Sequence, residues 1–395
     1  MPRSPLTRKQ VTMFVRSVSL VATLALPLAV TVGCGADEQP PVDAAGNPDT
    51  AIATDTARVV AVAGDFAASG ILSTIGVPSL AVDPDLASGA ASQDPVVRAL
   101  GDRLYVVNRF GVDNVTILDR DDLSLVGQHT TGTGSNPQDV AVVGSKLYVA
   151  ALGSAGLVVL DLASAGALST VDLSSLDPAD GLPNCTSIIA VGDELVVTCG
   201  VLDDADPFLT PRGPGVVAIV DPDTDTLTTS APLPAANPVG WLRAVPGVGV
   251  VAGLVPSYSD FSEGCLAAIA TTPSLAVSCL VTNEVLGGYA NAYDVAGDSL
   301  WIAVAGFDAA FNGFGALRRY DLTTDALDAT AYSPAGQVII DLAVCPGGEV
   351  AVTDAPAGGT SGVRLYDAGG DELTSAALSI GLPPGFGNNL ACHAQ

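Results

Sequence analysis

A short strand pair recurs along this chain, and its recurrence limits the fold more than any other feature. The stretch "LYVV", Leu104 to Val107, is apolar and rich in β-branched residues and reads as a strand; "NVTILD", Asn114 to Asp119, is a second strand ended by a polar turn. The pair returns as "KLYVAALGSAGLVVLD", ending at Asp161, and as "ELVVTC" with "GVVAIVD", ending at Asp221. A weaker copy, "GVVAGL" with "CLAAIAT", ends at Thr271, and two more, "SLWIAVA" with "ALRRYD" and "EVAVTD" with "GVRLYD", end at Asp321 and Asp367. These ends lie 42, 60, 50, 50 and 46 residues apart. Another strand precedes each pair ("QDVAVVG", "CTSIIAVG", "NAYDVAG") and a further one follows ("LVGQHTTG", "LTTSAPL"), so each unit holds four strands. Units of four short strands repeating every 40–50 residues or so are the sequence sign of a β-propeller.

Six full units run from about Pro95 to Pro384. "RVVAVAGDFAASGILSTIG", Arg58 to Gly76, supplies the middle strands of a seventh unit that lacks its first strand, and "NNLACHA", Asn388 to Ala394, is a first strand with nothing after it. Joining them closes the ring, whereas an open ring would leave two raw sheet edges. The expectation is an all-β, seven-bladed β-propeller over residues 57–395, closed by strands from both termini. Six or eight blades are the alternatives, because the copy around Val250 is degenerate.

Residues 1–33 carry Arg3, Arg8, Lys9 and Arg16, no acid, and an apolar run from Ser17 to Val32. A basic start, a short apolar core and small residues at the break describe an export signal. Cys34, preceded by Gly33, resembles the lipidated cysteine of a bacterial lipoprotein; a plain signal peptide or an uncleaved anchor is the alternative. Residues 34–56 are polar, acidic and poor in large apolar groups, as expected of a flexible tether. Beyond the signal, 11 basic residues face 42 acids, a net charge of −31. Such a surface repels phosphate backbones, so nucleic acid is not an expected partner. The expectation is an exported monomer, anchored to a membrane of the cell envelope and facing the periplasm or the cell surface.

Six cysteines remain after Cys34. Cys185 and Cys199 lie symmetrically about the Gly192-Asp193 turn, Cys265 and Cys279 lie symmetrically about "TTPS", and Cys345 and Cys392 are left to pair. Three disulfides imply an oxidising compartment, and no CxxC spacing suggests a metal site instead.

Chemistry-bearing motifs are sparse. His129 and His393, the two histidines, both fall on strands. "DPDTDTL", Asp221 to Leu227, has the alternating acids of a calcium loop but lacks its later glycine and glutamate, and reads as an Asp-rich turn. Loop length is the better clue. The loops between second and third strands emerge on the face that also carries the connections between blades, and in later units they lengthen to "GVLDDADPFLTPRGPG", "PSYSDFSEG", "GFDAAFNGFG" and "APAGGTSG". They bring Phe208, Tyr258, Phe261, Phe307, Phe311 and Phe314 together with Asp203, Asp204, Asp206, Asp260, Glu263 and Asp308. Aromatics among acids on one face of a rigid ring suit a partner protein or a small ligand; packing of the rings onto the blade ends is the competing reading.

Val106-Val107-Asn108, Asp119 and the Gly-x-x-Pro segment Gly134-Ser135-Asn136-Pro137 resemble the Tyr-Val-Thr-Asn repeat of bacterial surface propellers. The whole arrangement is similar to propeller lipoproteins of myxobacterial-type proteobacteria. The resemblance implies a seven-bladed ring at the cell envelope and no particular chemistry, since such rings serve binding, lactone hydrolysis and oxidation alike. Two functions follow as expectations. One is a non-catalytic binding module using the long-loop face, with no cofactor required. The other is a hydrolase or lactonase with a metal held in the central channel by Asn136, Asp139, Asn291, Asp341 and Asn388.

Overall fold

The computed structural model describes residues 54–395, apart from 165, 335, 357, 358 and 386. The expected signal segment, Cys34 and the expected tether up to residue 53 lie outside the described residues.

Seven antiparallel sheets stand around a ring. Blade 1 shows the plan: Pro95–Leu100 is innermost, followed outward by Arg103–Asn108, Asn114–Asp119 and Leu125–Thr130. Blades 2 to 5 repeat the order over 137–172, 185–232, 238–282 and 289–327. The middle strands are apolar at nearly every position because both faces pack against neighbouring blades, so the alternation expected of a half-exposed strand disappears. Tyr148, Leu157 and Val159 of blade 2 pack with Ile188, Leu195 and Val197 of blade 3 in one such layer. Outermost strands such as Leu125–Thr130 are largely exposed.

The aspartates that end third strands explain why the repeat is visible. Asp119, Asp161, Asp221, Asp321 and Asp367 each accept the backbone N–H two residues on, at 3.0, 3.0, 2.8, 2.8 and 2.9 Å. The side chain thereby closes the turn that follows the third strand. The degenerate fourth unit has Ala270 and Thr271 there instead. In blade 7, Asp55 reaches in from just before Ala57–Gly64 to accept from Ser79 N and Ser79 Oγ, both at 2.8 Å.

Both termini build blade 7. Leu390–Ala394 is its innermost strand, and it pairs with Ala57–Gly64 in a register that sets Ala57 against Ala394 and Ala61 against Leu390. Gly70–Val77 and Val82–Leu86 complete the sheet. Blade 6 departs from the expected plan of four regular strands. It has three, Ile339–Val344, Val350–Asp354 and Gly362–Tyr366; its outer edge is covered by isolated bridges from Val363 to Leu378 and from Tyr366 to Glu372. Arg364 holds that edge through Asp354 at 2.7 Å and Glu372 at 2.6 Å.

All three disulfides form as the spacing predicts. Cys185 and Cys199 are direct cross-strand partners. Cys279 faces Ala267 and Cys265 faces Thr282, so that bond is diagonal. Cys345–Cys392 joins blade 6 to the closing strand. The bonds fit an oxidising, exported environment. Among the described residues no helix is long and apolar enough to cross a membrane.

Candidate functional site

The innermost strands of blades 2 to 6 each carry a register shift, at Pro137/Asp139, Cys185/Ser187, Val239/Arg243, Ala290/Ala292 and Ile339/Asp341. In blades 2, 3 and 6 an acceptor at the bulge reaches the next blade. Asp139 Oδ2 accepts from Ser187 Oγ at 2.7 Å and Ile188 N at 2.9 Å, Ser187 Oγ accepts from Leu242 N at 2.8 Å, and Asp341 Oδ2 accepts from Asn389 N at 2.6 Å and Leu390 N at 3.1 Å. The wall of the channel is thus laced from blade to blade. Arg98 donates to both oxygens of Asp139, at 2.6 and 2.5 Å. Its guanidinium lies 4.4 Å from the Trp241 ring centroid, and Arg243, 3.2 Å from Asp294, stands 5.9 Å from the same ring. Burial pushes Asp341 up to about 6, against the pull of the N–H groups it accepts.

Of the five channel residues expected to share a metal, four have side chains bonded separately. Asp139 and Asp341 accept backbone N–H groups, and Asn291 Nδ2 donates to Ile340 O at 2.5 Å. Asn136 Oδ1 accepts from Phe110 N and Gln138 Nε2, while Asn388 gives its backbone carbonyl to Val97 N. Among the described residues no three His, Cys, Asp or Glu side chains gather as a metal site. His393 is buried, which lowers its pKa, and its Nδ1 contacts Ala394 O at 2.8 Å. The Asp221 motif is a capped turn; its last acid, Asp225, receives Lys146 Nζ and Tyr148 OH of blade 2, both at 2.7 Å.

The long loops divide into two groups. In blade 3, Arg212 draws Asp177, Asp180 and Asp203 together at 2.7, 2.7 and 3.0 Å, and Asn184 Nδ2 donates to Asp204 at 3.0 Å. Asp206 accepts from the Thr210 hydroxyl and from Phe208 N, and these bonds, the Thr210 bond above all, lower its pKa. The acids so predicted are braces of the loop. In blades 4 and 5, Phe261 meets Phe314 edge-on with centroids 5.9 Å apart, Tyr258 meets Tyr289 at 5.3 Å, and Phe307 N donates to Tyr258 O at 2.9 Å. Asp260 accepts from Ser262 N and Oγ, and Asp308 from Asn312 and Ala310. Phe261, Phe307 and Phe314 are half-buried packing groups.

What stays outward is a set of aromatic tips. Phe208 is 65% exposed, Phe311 55% and Tyr258 48%. Phe110, 70% exposed, and Phe66, 49%, occupy the same loop in blades 1 and 7. Loop length does not point to these two. The signal for them is a lone bulky ring in a five-residue turn, and in the structure both rings sit at positive φ (25° and 54°), outside the strand core. The topology brings all five tips to one face. Every basic side chain among the described residues is engaged internally: Arg58 and Arg318 donate to backbone carbonyls, and the others pair with acids. The outer surface is left acidic.

No family model matches this chain, and no curated protein matches it. Solved structures do. A protein from Bacteroides fragilis, provisionally described as a 6-phosphogluconolactonase, is 14% identical with a TM-score of 0.54, over 88% of this chain and 99% of its own. Apo AztD from Citrobacter koseri is 13% identical with a TM-score of 0.50, over 86% of this chain and 98% of its own. At such identities the likeness concerns the fold, and it agrees with the blade count in identifying the chain as a seven-bladed β-propeller.

Proposed function

We propose that this protein is a non-catalytic binding module, tethered to an envelope membrane by lipid on Cys34, that takes its partner on the aromatic-tipped loop face. The observation that carries the reading is the set of exposed rings on the loops of blades 1, 3, 4, 5 and 7, all on one face, borne by loops whose acids and arginines are already bonded within the protein. Rings held outward on braced loops give a partner apolar area with little ordering cost. The uncompensated acidity favours an envelope protein or small ligand that is neutral or basic. The alternative, a metal-assisted hydrolase in the channel, draws no support from acids that already accept backbone N–H groups.

The test replaces Phe110, Phe208 and Phe311 together by serine. Substitutions at exposed positions shift stability by about 0.5 kcal/mol or less each, so melting is expected to be close to that of the parent. Buried aromatic anchors are commonly worth about 2 kcal/mol or more in an interface, so co-isolation of a cross-linked envelope partner is expected to be lost. A control, Leu125→Ser on the outermost strand of blade 1, keeps it. Retention by the triple variant, or equal loss in the control, refutes the loop face. Cys34→Ala is expected to release the protein from membranes; sedimentation after a carbonate wash contradicts the lipid anchor.

A further inference from the structure

The face opposite the aromatic loops holds a recess that the proposed binding face does not use. It lies where the innermost strands of blades 1, 2 and 3 run out into their turns, and its volume is about 390 Å3, within the range of small-molecule sites. Leu100, Val140, Val142 and Ile189 give it apolar walls. Arg98 and Tyr105 also line it; they are direct cross-strand partners, and only 6% and 4% exposed. Two of the three Arg98 nitrogens are engaged, Nε and Nη2 on Asp139 and Nη2 also 3.5 Å from Ile188 O. Arg98 Nη1 and the Tyr105 hydroxyl have no partner among the described residues. Both residues line the recess, so an apolar hollow with two free donors is suited to an acceptor brought by a guest.

Charge selects the guest. Arg98 is already neutralised by a bidentate Asp139, and the exposed Asp102 carboxylate stands at the rim, so an anion gains little and meets repulsion. A cation meets donors at depth, because Asp139 already accepts from Arg98, Ser187, Val140 N and Ile188 N. We propose that the recess binds a small uncharged molecule with an apolar body and a carbonyl oxygen, the oxygen accepting from Arg98 Nη1 and Tyr105 OH. This site is independent of the loop face.

Three compounds of one shape test the assignment: cyclohexanecarboxamide, cyclohexanecarboxylate and cyclohexylmethylamine, observed by saturation-transfer NMR with the purified full-length protein. The carboxamide is expected to bind, and the anion and cation more weakly. Tyr105→Phe keeps the ring and removes one donor, and should weaken the carboxamide about three- to tenfold. Ala190→Trp, at an exposed position of the rim, should abolish binding without altering the fold. Absence of carboxamide binding, undiminished binding in Ala190→Trp or in Tyr105→Phe, or a preference for the carboxylate or the amine overturns the proposal.

Discussion

Asp341 joins two requirements that usually conflict: it is fully buried, and it holds the N–H groups of Asn389 and Leu390 in the closing strand. Asp341→Ala leaves both donors without an acceptor and is expected to cost about 2–6 kcal/mol, at 1–3 for each. Asp341→Asn keeps an acceptor oxygen and should cost less. The two replacements also separate the charge. With its folded pKa raised to about 6 from 3.8, Asp341 holds its proton more tightly in the folded state. Its contribution to stability is therefore greatest below about pH 4, falls as pH rises to about 6, and is level above that. The difference in unfolding free energy between parent and Asp341→Asn, from urea titrations at pH 4 to 7, should shift by up to about 3 kcal/mol across that window, against the parent at the upper end. A difference that does not vary with pH contradicts a buried, proton-binding Asp341. Arg98→Met tests the other side of the channel. It strands Asp139, 2.5 Å from its basic partner, and a broken buried pair costs about 3–5 kcal/mol, measurable by the same titration.

At the scale of strands, the Cys345–Cys392 bond spans 47 residues and crosses from blade 6 to blade 7, whereas Cys185–Cys199 spans 14 within one hairpin. Each should stabilise by about 2–4 kcal/mol, and the longer loop by about 1 kcal/mol more, so the Cys345→Ser, Cys392→Ser pair should melt below the Cys185→Ser, Cys199→Ser pair. The reverse order by calorimetry contradicts the idea that the third bond staples the closure. These bonds, the blade repeat and the shared seventh blade were legible because local chemistry carries them: an aspartate closing the turn after the third strand in five of the seven blades, cysteines placed about a turn, a first strand left over at one end. The bulges at Asp139, Ser187 and Asp341 were not legible, since they arise where innermost strands crowd around the axis and must face the next blade. The outer edge of blade 6 was missed for a related reason. Its backbone bridges are few, and Arg364 reaches Asp354 and Glu372 through side chains that no strand period records. Of the candidate site, the long loops and Phe208, Tyr258 and Phe311 could be read from length and composition; the exposure of Phe66 and Phe110, and the packing roles of Phe261 and Phe314, depend on backbone angles and on neighbours from other blades.

The whole molecule separates its tasks by face and by depth. Its basic groups are bonded inside or along the blades, its acids beyond them face solvent, and the channel wall is laced by acceptors that pass from one blade to the next. One face bears the aromatic tips and the opposite face bears the recess between blades 1 and 3. Both surfaces require a ring that is shut, because an open ring would let blades 7 and 1 part beside Phe66 and Phe110. Closure is thus the claim on which the functional reading stands. Deleting residues 388–395 removes the strand paired with Ala57 to Ala61, together with Cys392 and the donors to Asp341. Several buried backbone groups lose their partners at about 1–3 kcal/mol each, which rivals the whole stability of about 5–15 kcal/mol expected of a domain. Thermal unfolding of this truncation beside a deletion of equal length in the segment expected to be a tether, residues 37–44, is the direct measurement. The C-terminal truncation is expected to aggregate or melt far below the parent while the deletion of 37–44 melts with it; an unchanged melting temperature after loss of 388–395 would contradict closure by both termini.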